Sequence, residues 1–534
     1  MAGVVTCPEK YAAQAGLEIM KKGGNAMDAA IATALAQGVT NPMIAGIGGG
    51  GMLNAFGACR DGRHECIYFG GVAGGLATPA VYEYVGQEGK VTGYKVKSNE
   101  NEVGWRAAMV PGLFRGLHAG FLRHGSGRVT WQELFQPAIR FARDGFTIDP
   151  YIYQFWKPGG VTGASDIDTK LHASRDCESI YLKNGRVYEP GEVLVQAEQA
   201  RLLERVAEEG PDVFYMGEIA QLMADDFARH NGLVTAYDLA TYQPILQQPV
   251  RTTYRGYEVT ADPPPACGVL VLEMLNVLER YDLARMGWNS PEHLDLLSRT
   301  MYLAFHDRAR YMGDPRFVDV PVERLASKAY AAELAGIVDR GADLRHDPYA
   351  PTPDGTTHVS AMDDEGNAVA ITHSTGSGSG AVTRGLGFIH NNHMAMFDPR
   401  PGYRNSIAPG KIPVTGGSPT LVFKDGKAVM AVGSPAGARK ATGIVQTIVN
   451  IIDFGMSAQE AVSVQRIHAE DVPGQIIVEP DFPDEAAREL VSRGRTVVRS
   501  PYTARMALVY RDPVTGHIEG GSDPRAGGGK AEWR

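Results

Sequence analysis

The sequence predicts an α+β protein in which antiparallel sheets are covered by helices. Three observations carry this. Residues from about 129 to 344 are mostly helical in pattern, residues 345–355 form a break with three prolines, and the pattern after the break changes to hairpins.

The elements follow in order. Residues 8–22 have a helix-forming composition, with Pro8 tolerated in a first turn and Gly23-Gly24 as a stop. The segment before them is read as leading directly into this helix. An alanine-rich helix over residues 26–36 ends near Asn41-Pro42, ahead of the run Gly46-Ile47-Gly48-Gly49-Gly50-Gly51. No Gly-Lys-Ser/Thr follows that run and no strand precedes it, so close backbone packing explains it better than a phosphate loop. Amphipathic helices are expected over 131–143 and 269–280, with one strand, 257–260, between them. The break at 345–355 reads as an extended, exposed linker and the strongest boundary in the chain.

Beyond it, strands at 357–362 and 368–372 flank the turn Asp363-Asp364-Glu365-Gly366-Asn367, and strands at 420–423 and 428–432 flank Asp425-Gly426, a primed-turn signal. A third pair is expected at 506–510 and 517–519, with a helix over 443–454.

Composition excludes several classes of function. The chain has 534 residues, 44% of them apolar and 21% charged, enough to bury a large core. A net charge of -9 repels phosphate backbones and anionic lipid, so neither nucleic acid nor a membrane surface is an expected partner. Five scattered cysteines, without a C-x-x-C pair, read as free thiols. With no leader-like N-terminus and no long apolar run, a cytoplasmic location is the expectation.

The centre of Gly376-Ser377-Gly378-Ser379-Gly380 is glycine, so no G-x-S-x-G elbow exists. No H-E-x-x-H occurs; His390 and His393 lack a nearby acidic ligand and read as hydrogen-bonded loop or strand-end histidines. What remains is Asp354-Gly355-Thr356-Thr357-His358, where a linker meets a strand whose first residue carries a hydroxyl. Cutting between Gly355 and Thr356 would make Thr356 N-terminal, uniting a nucleophile with its own base. An α-amino group titrates near pH 7.7 to 8.0, so a useful fraction is free at neutral pH.

The run from Thr356-Thr357-His358-Val359-Ser360 to Gly366-Asn367-Ala368-Val369 resembles the start of the small subunit of γ-glutamyltranspeptidases, which are N-terminal nucleophile hydrolases. The resemblance extends along the chain through Gly23-Gly24-Asn25-Ala26-Met27-Asp28, Val110-Pro111-Gly112, Tyr254-Arg255-Gly256-Tyr257, Pro263-Pro264-Pro265, Gly433-Ser434-Pro435-Ala436-Gly437 and Ser522-Asp523-Pro524-Arg525. It implies a four-layer αββα sandwich, made as one precursor that cuts itself into a large subunit, 1–355, and a small subunit, 356–534, the two forming one unit. It implies no cofactor or metal. By the same resemblance Thr356 is the nucleophile, Ser374 the second hydroxyl beside it, and the backbone N–H groups of Ala436 and Gly437 the oxyanion hole.

The donor side departs from the family. Its clamping arginine falls in Phe69-Gly70-Gly71 and is absent; an asparagine of the glutamyl site becomes Gly376. In Asn391-Asn392-His393-Met394-Ala395-Met396 the family's glutamine becomes His393 and its ammonium-binding aspartate becomes Met396, while a Ser-Ser pair becomes Thr415-Gly416. The expected activity is therefore hydrolysis of a small-molecule amide whose acyl group is not γ-glutamyl, such as a small carboxylate-bearing amide of the oxamate type. A γ-glutamyltransferase or glutathione hydrolase and an inactive scaffold are the alternatives. A substrate carboxylate needs a cation, for which Arg384, Arg404, Lys411 and His393 are the candidates. The sequence leaves the assembly state open.

Overall fold

The computed structural model describes residues 2–86, 94–161, 164–341, 355–470, 472–501 and 504–533. The expected linker lies outside the described residues except for Gly355. The strands of the two large sheets are, in chain order, β1 (Gly3–Cys7), β2 (Gly50–Gly57), β3 (Arg63–Phe69), β4 (Ile245–Gln247), β5 (Val250–Tyr254), β6 (Tyr257–Ala261), β7 (Thr357–Asp363), β8 (Ala368–Ser374), β9 (Thr420–Lys424), β10 (Lys427–Gly433), β11 (Ala507–Arg511), β12 (Ile518–Ser522) and β13 (Gly529–Trp533). The helices used below are α1 (Lys10–Lys21), α2 (Ala26–Thr40), α3 (Leu113–His124), α4 (Trp131–Asp144), α5 (Gly268–Leu278), α6 (Pro291–Tyr311), α7 (Lys328–Asp339) and α8 (Arg439–Ile452).

Seven strands form one antiparallel sheet in the order β4-β3-β2-β8-β7-β1-β13, and six form a second in the order β5-β6-β9-β10-β11-β12. The inner faces meet through Val4, Met362, Ala370, Leu421, Ala431 and Val509, mostly small side chains that let the sheets approach. Helices α1, α2, α3 and α4 cover the outer face of the first sheet and α5, α6, α7 and α8 that of the second, each with its own apolar core. The result is the αββα sandwich.

Helix α2 shows why the layers close. Its sequence is apolar all round and every residue from Ala26 to Thr40 is buried, so it lies between α1, α4 and the sheet rather than at the surface. Asn25 caps its start reciprocally with Asp28.

The hairpins expected from sequence are present, the strands of the first two extended by up to two residues and the third pair shifted one residue along, and the helices expected over 131–143, 269–280 and 443–454 appear as α4, α5 and α8. Two readings are corrected. Residues 3–7 are not a lead-in to a helix: they form β1, whose partners β7 and β13 lie more than 300 residues away, so no local turn announces it. The strand at 257–260 is also not alone between the helices, because Val250–Tyr254 pairs with it and Ile245–Gln247 joins the other sheet.

Candidate active site

Thr356 stands immediately before β7, near the middle of the first sheet. The register Thr357↔His373 on one side of β8 and Ser374↔Gly50 on the other brings Thr356, Ser374 and Gly50 to the same end of three adjacent strands. The sandwich thus converts a local Thr-Thr-His strand start into a site at the sheet's edge.

Both hydroxyls converge on one atom. Thr356 Oγ1 donates to the Gly355 carbonyl oxygen at 2.6 Å, and Ser374 Oγ donates to the same oxygen at 2.5 Å. The Gly376 amide donates to Ser374 Oγ at 2.6 Å, which occupies an acceptor site of the hydroxyl and leaves its proton for Gly355. Glycine is required at 355 on two counts. Its φ is +150°, and a β-carbon there would lie 2.2 Å from the Gly376 carbonyl oxygen.

Behind Thr356 is a buried polar relay. Thr357 Oγ1 donates to Glu9, Gln37 Nε2 reaches Glu9 Oε2 at 2.7 Å, and Gln37 Oε1 meets His373 Nε2 at 2.8 Å. Burial pushes the Glu9 carboxyl up against the lowering effect of its Asn41, Gln37 and Thr357 hydrogen bonds. Burial also holds His373 down at about 3 and His393 at about 4, so both imidazoles are neutral at physiological pH.

Thr356 and Ser374 face a cleft whose atom-free space, about 630 Å³, includes the open solvent at its mouth. Of the positions singled out from sequence, Gly355, Thr356, Ser374, Gly376, Asn392, His393, Met396 and Thr415 line it. Ala436, Gly437 and Gly416 are not in its lining but adjoin it. A β-carbon on Gly416 would lie 2.4 Å from the Gly437 carbonyl oxygen, so the loop holding Thr415 packs directly on the oxyanion-hole candidates. Ala436 has φ +114°, an unfavourable conformation for a residue with a β-carbon, and Gly437 follows at +54°.

Two positions where the sequence lacks the expected recognition side chains are filled by others. A β-carbon on Gly70 would lie 2.2 Å from the Tyr68 hydroxyl, and one on Gly376 would lie 2.1 Å from Asn392 Oδ1. Asn392 is fixed there by Ser377, accepting from its amide at 3.0 Å and donating to its hydroxyl at 3.1 Å.

Of the cation candidates, only His393 lines the pocket. Arg384 is exposed, Arg404 donates to the carbonyls of Tyr311 and Asp319, and Lys411 donates to those of Arg404 and Ser406 at 2.8 Å each. Sequence reasoning missed Lys440, the second residue of α8, which does line the pocket. The helix expected from sequence began at 443, which left Arg439-Lys440 outside it, whereas α8 starts at Arg439. His390 is a buried histidine bonded to Thr383 at 2.9 Å, outside the pocket lining.

A hydroxyl at a strand start and a second hydroxyl beside it, both lining one pocket on an αββα sandwich, define the class of N-terminal nucleophile hydrolases. Comparison with known proteins narrows this. The family described as Gamma-glutamyltranspeptidase matches residues 12–533, and the chain belongs to that family. It is 38% identical over 512 residues to the acylase ACY 1 proenzyme of Pseudomonas sp. (strain SE83), covering 94% of this chain and 88% of that protein. It is 33% identical over 543 residues to the glutathione hydrolase proenzyme of Escherichia coli (strain K12), covering 98% and 90%. Among solved structures it superposes on cephalosporin acylase from Bacillus halodurans with a TM-score of 0.88 at 29% identity, covering 100% of this chain and 96% of that one. The protein is thus a hydrolase of the family that contains both acylases and glutathione hydrolases.

Proposed function

We propose that the chain cuts itself between Gly355 and Thr356, and that the freed threonine hydrolyses amides whose acyl group is not γ-glutamyl. In the first step Thr356 Oγ1 attacks the Gly355 carbonyl carbon, the peptide nitrogen of Thr356 leaves, and water hydrolyses the resulting ester to a Gly355 carboxylate and a free Thr356 amine. Ser374 donates to the carbonyl oxygen as charge develops on it.

In turnover the α-amino group takes the Thr356 hydroxyl proton, Oγ1 attacks the substrate carbonyl, and the proton passes to the departing amine. The backbone N–H groups of Ala436 and Gly437 receive the oxyanion. Water then cleaves the acyl-enzyme by the same route in reverse.

One observation carries the donor assignment: no aspartate or glutamate is among the described residues that line the pocket. A γ-glutamyl donor would bring an α-ammonium against a wall with no anion to meet it, so the part of its hydration lost there is not repaid. The occupation of positions 70 and 376 by Tyr68 and Asn392 supports the same reading, as does the likeness to acylases. Likeness to a glutathione hydrolase favours the alternative donor, and one experiment separates them. Matured wild type is assayed on γ-glutamyl-p-nitroanilide and on p-nitroanilides of simpler acids, beside Thr356→Ala followed by intact mass. The expected result is two chains, 1–355 and 356–534, in the wild type alone, with simple anilides hydrolysed more efficiently. Equal or better turnover of the γ-glutamyl anilide overturns the donor assignment, and an uncut wild type leaves the inactive scaffold.

A further inference from the structure

Glu9 stands between β1 and α1, only 1% exposed, and no lysine, arginine or histidine among the described residues pairs with it. Neutral donors meet it instead. Asn41 Nδ2 reaches Oε1 at 2.8 Å, Gln37 Nε2 reaches Oε2 at 2.7 Å, and Thr357 Oγ1 lies 3.0 and 2.9 Å from the two oxygens. The proton directions follow from these partners. Gln37 Nε2 also lies 2.7 Å from Thr357 Oγ1, with the His358 carbonyl farther off at 3.3 Å, so its two hydrogens go to Glu9 and Thr357. The Thr357 hydroxyl accepts that bond and gives its own hydrogen to Glu9. Gln37 Oε1 is left as an acceptor, and His373 donates to it from Nε2. Every partner gives Glu9 a hydrogen and none takes one, which favours the ionised carboxylate against the opposing effect of burial. A buried carboxylate without a cation is less stable than a neutral residue of the same shape, and departures of that kind are concentrated where function requires them.

We propose that Glu9 is a positioning residue: through Thr357 it fixes the start of β7 and so aims Thr356 Oγ1 at the carbonyl it attacks. The inference rests on the self-cleaving amidohydrolase reading above. Glu9, Gln37 and Asn41 precede the Gly355–Thr356 bond and Thr357 follows it, so the contact joins the two chains that the cut creates. Once that bond is broken, Thr356 is tethered on one side only, and its orientation depends on how firmly Thr357 is held. A hydrogen bond to an ionised acceptor is about twice as strong as one between neutral groups, which is what a glutamate supplies here and a glutamine would not. Neither Glu9 nor Thr357 lines the pocket, so the effect falls on the nucleophile and not on substrate binding.

The test measures kcat and KM of matured enzyme on the p-nitroanilide that wild type hydrolyses fastest, beside the rate of self-cleavage and the melting temperature. Thr357→Val is expected to lower kcat by about 10- to 100-fold with KM unchanged, and Thr357→Ser, which keeps the hydroxyl, to retain most of it. Glu9→Gln should lower kcat by about 3- to 10-fold. Its melting temperature should be unchanged or higher, because Asn41 Oδ1, which has no partner among the described residues, is free to turn and accept from the new amide. In the double variant Glu9→Gln should add nothing to the loss from Thr357→Val, since one acts through the other. The same order is expected in the rate of self-cleavage, which is read whether or not an anilide turns over. Losses that multiply in the double variant, losses that follow the melting temperatures, or wild-type rates in Thr357→Val each overturn the proposal and leave the amidohydrolase reading standing. A wild type that stays uncut removes both. Should Thr357→Val not fold, Glu9→Gln decides alone: a slower enzyme at undiminished melting temperature supports the proposal, and wild-type rates overturn it.

Discussion

Ser374 Oγ donates to the carbonyl oxygen of Gly355 at 2.5 Å, the oxygen that Thr356 Oγ1 also reaches from the other side of the peptide bond. In the uncut chain, therefore, the group beside the proposed nucleophile is already placed to stabilise charge on the carbonyl that Thr356 would attack. Removing one preorganised donor of this kind costs about 10²- to 10³-fold in rate. Ser374→Ala is expected to slow self-cleavage by about that factor, while Ser374→Thr, which keeps the hydroxyl, retains it. A time course of intact mass from freshly purified precursor measures both rates.

Restoring the missing asparagine should fail for a reason visible in the packing. Gly376 has φ +71°, which asparagine tolerates better than most residues, so the obstacle at Gly376→Asn is Asn392 Oδ1 rather than the backbone. The single variant is expected to lose about 1–3 kcal/mol of stability without gaining γ-glutamyl turnover. Adding Asn392→Gly should recover more than half of that loss, although Asn392→Gly alone destabilises by removing its bonds to Ser377. Urea unfolding of the four proteins gives the cycle, and additive losses would refute the steric account.

Ala436 holds φ +114° beside the oxyanion-hole candidate Gly437. Such a conformation costs a residue with a β-carbon about 1–3 kcal/mol, partly offset by the lower unfolded-state entropy of alanine relative to glycine. Ala436→Gly is expected to raise the melting temperature by about 1–4 °C. Self-cleavage should be unchanged, because the backbone N–H is retained. Scans at matched rate and protein concentration check the shift.

Asp262 follows β6 and is fully buried, with Oδ1 lacking a hydrogen-bond partner among the described residues. Burial pushes its carboxyl up to about 8, partly offset by a contact with Cys66. The folded state therefore keeps a proton that the unfolded state loses near pH 4, and stability falls as pH rises between about 4 and 8. Asp262→Asn removes that penalty. The variant should show a flatter stability profile than wild type across this window, with the difference largest at pH 8 and above. Denaturant midpoints at pH 5, 7 and 9 test it, and parallel profiles would refute it.

Much of this protein was legible in its sequence because the decisive signals were local. The hairpin of Thr357–Asp363 and Ala368–Ser374 is written in alternation around a Gly-Asn turn, and α4 in its amphipathic period. β1 was missed because its five residues carry no turn and pair only with strands from the far end of the chain. The glycine run was read correctly as close packing: β-carbons on Gly49 and Gly51 would lie 2.0 and 2.3 Å from carbonyl oxygens of the neighbouring strand region.

The sequence by itself determined the two-layered pattern of helices and hairpins and the position of Thr356, because these depend on residue type and spacing over a few turns of chain. Tertiary structure alone decided which side chains line the pocket beside Thr356. Lys440 becomes a buried residue of the pocket wall, Arg404 and Lys411 spend their donors on backbone carbonyls, and Tyr68 and Asn392 occupy the space beside Gly70 and Gly376. The physical reason is that a side chain's role depends on what long-range packing leaves open around it. The contacts that close this pocket join segments hundreds of residues apart, where no spacing rule reaches.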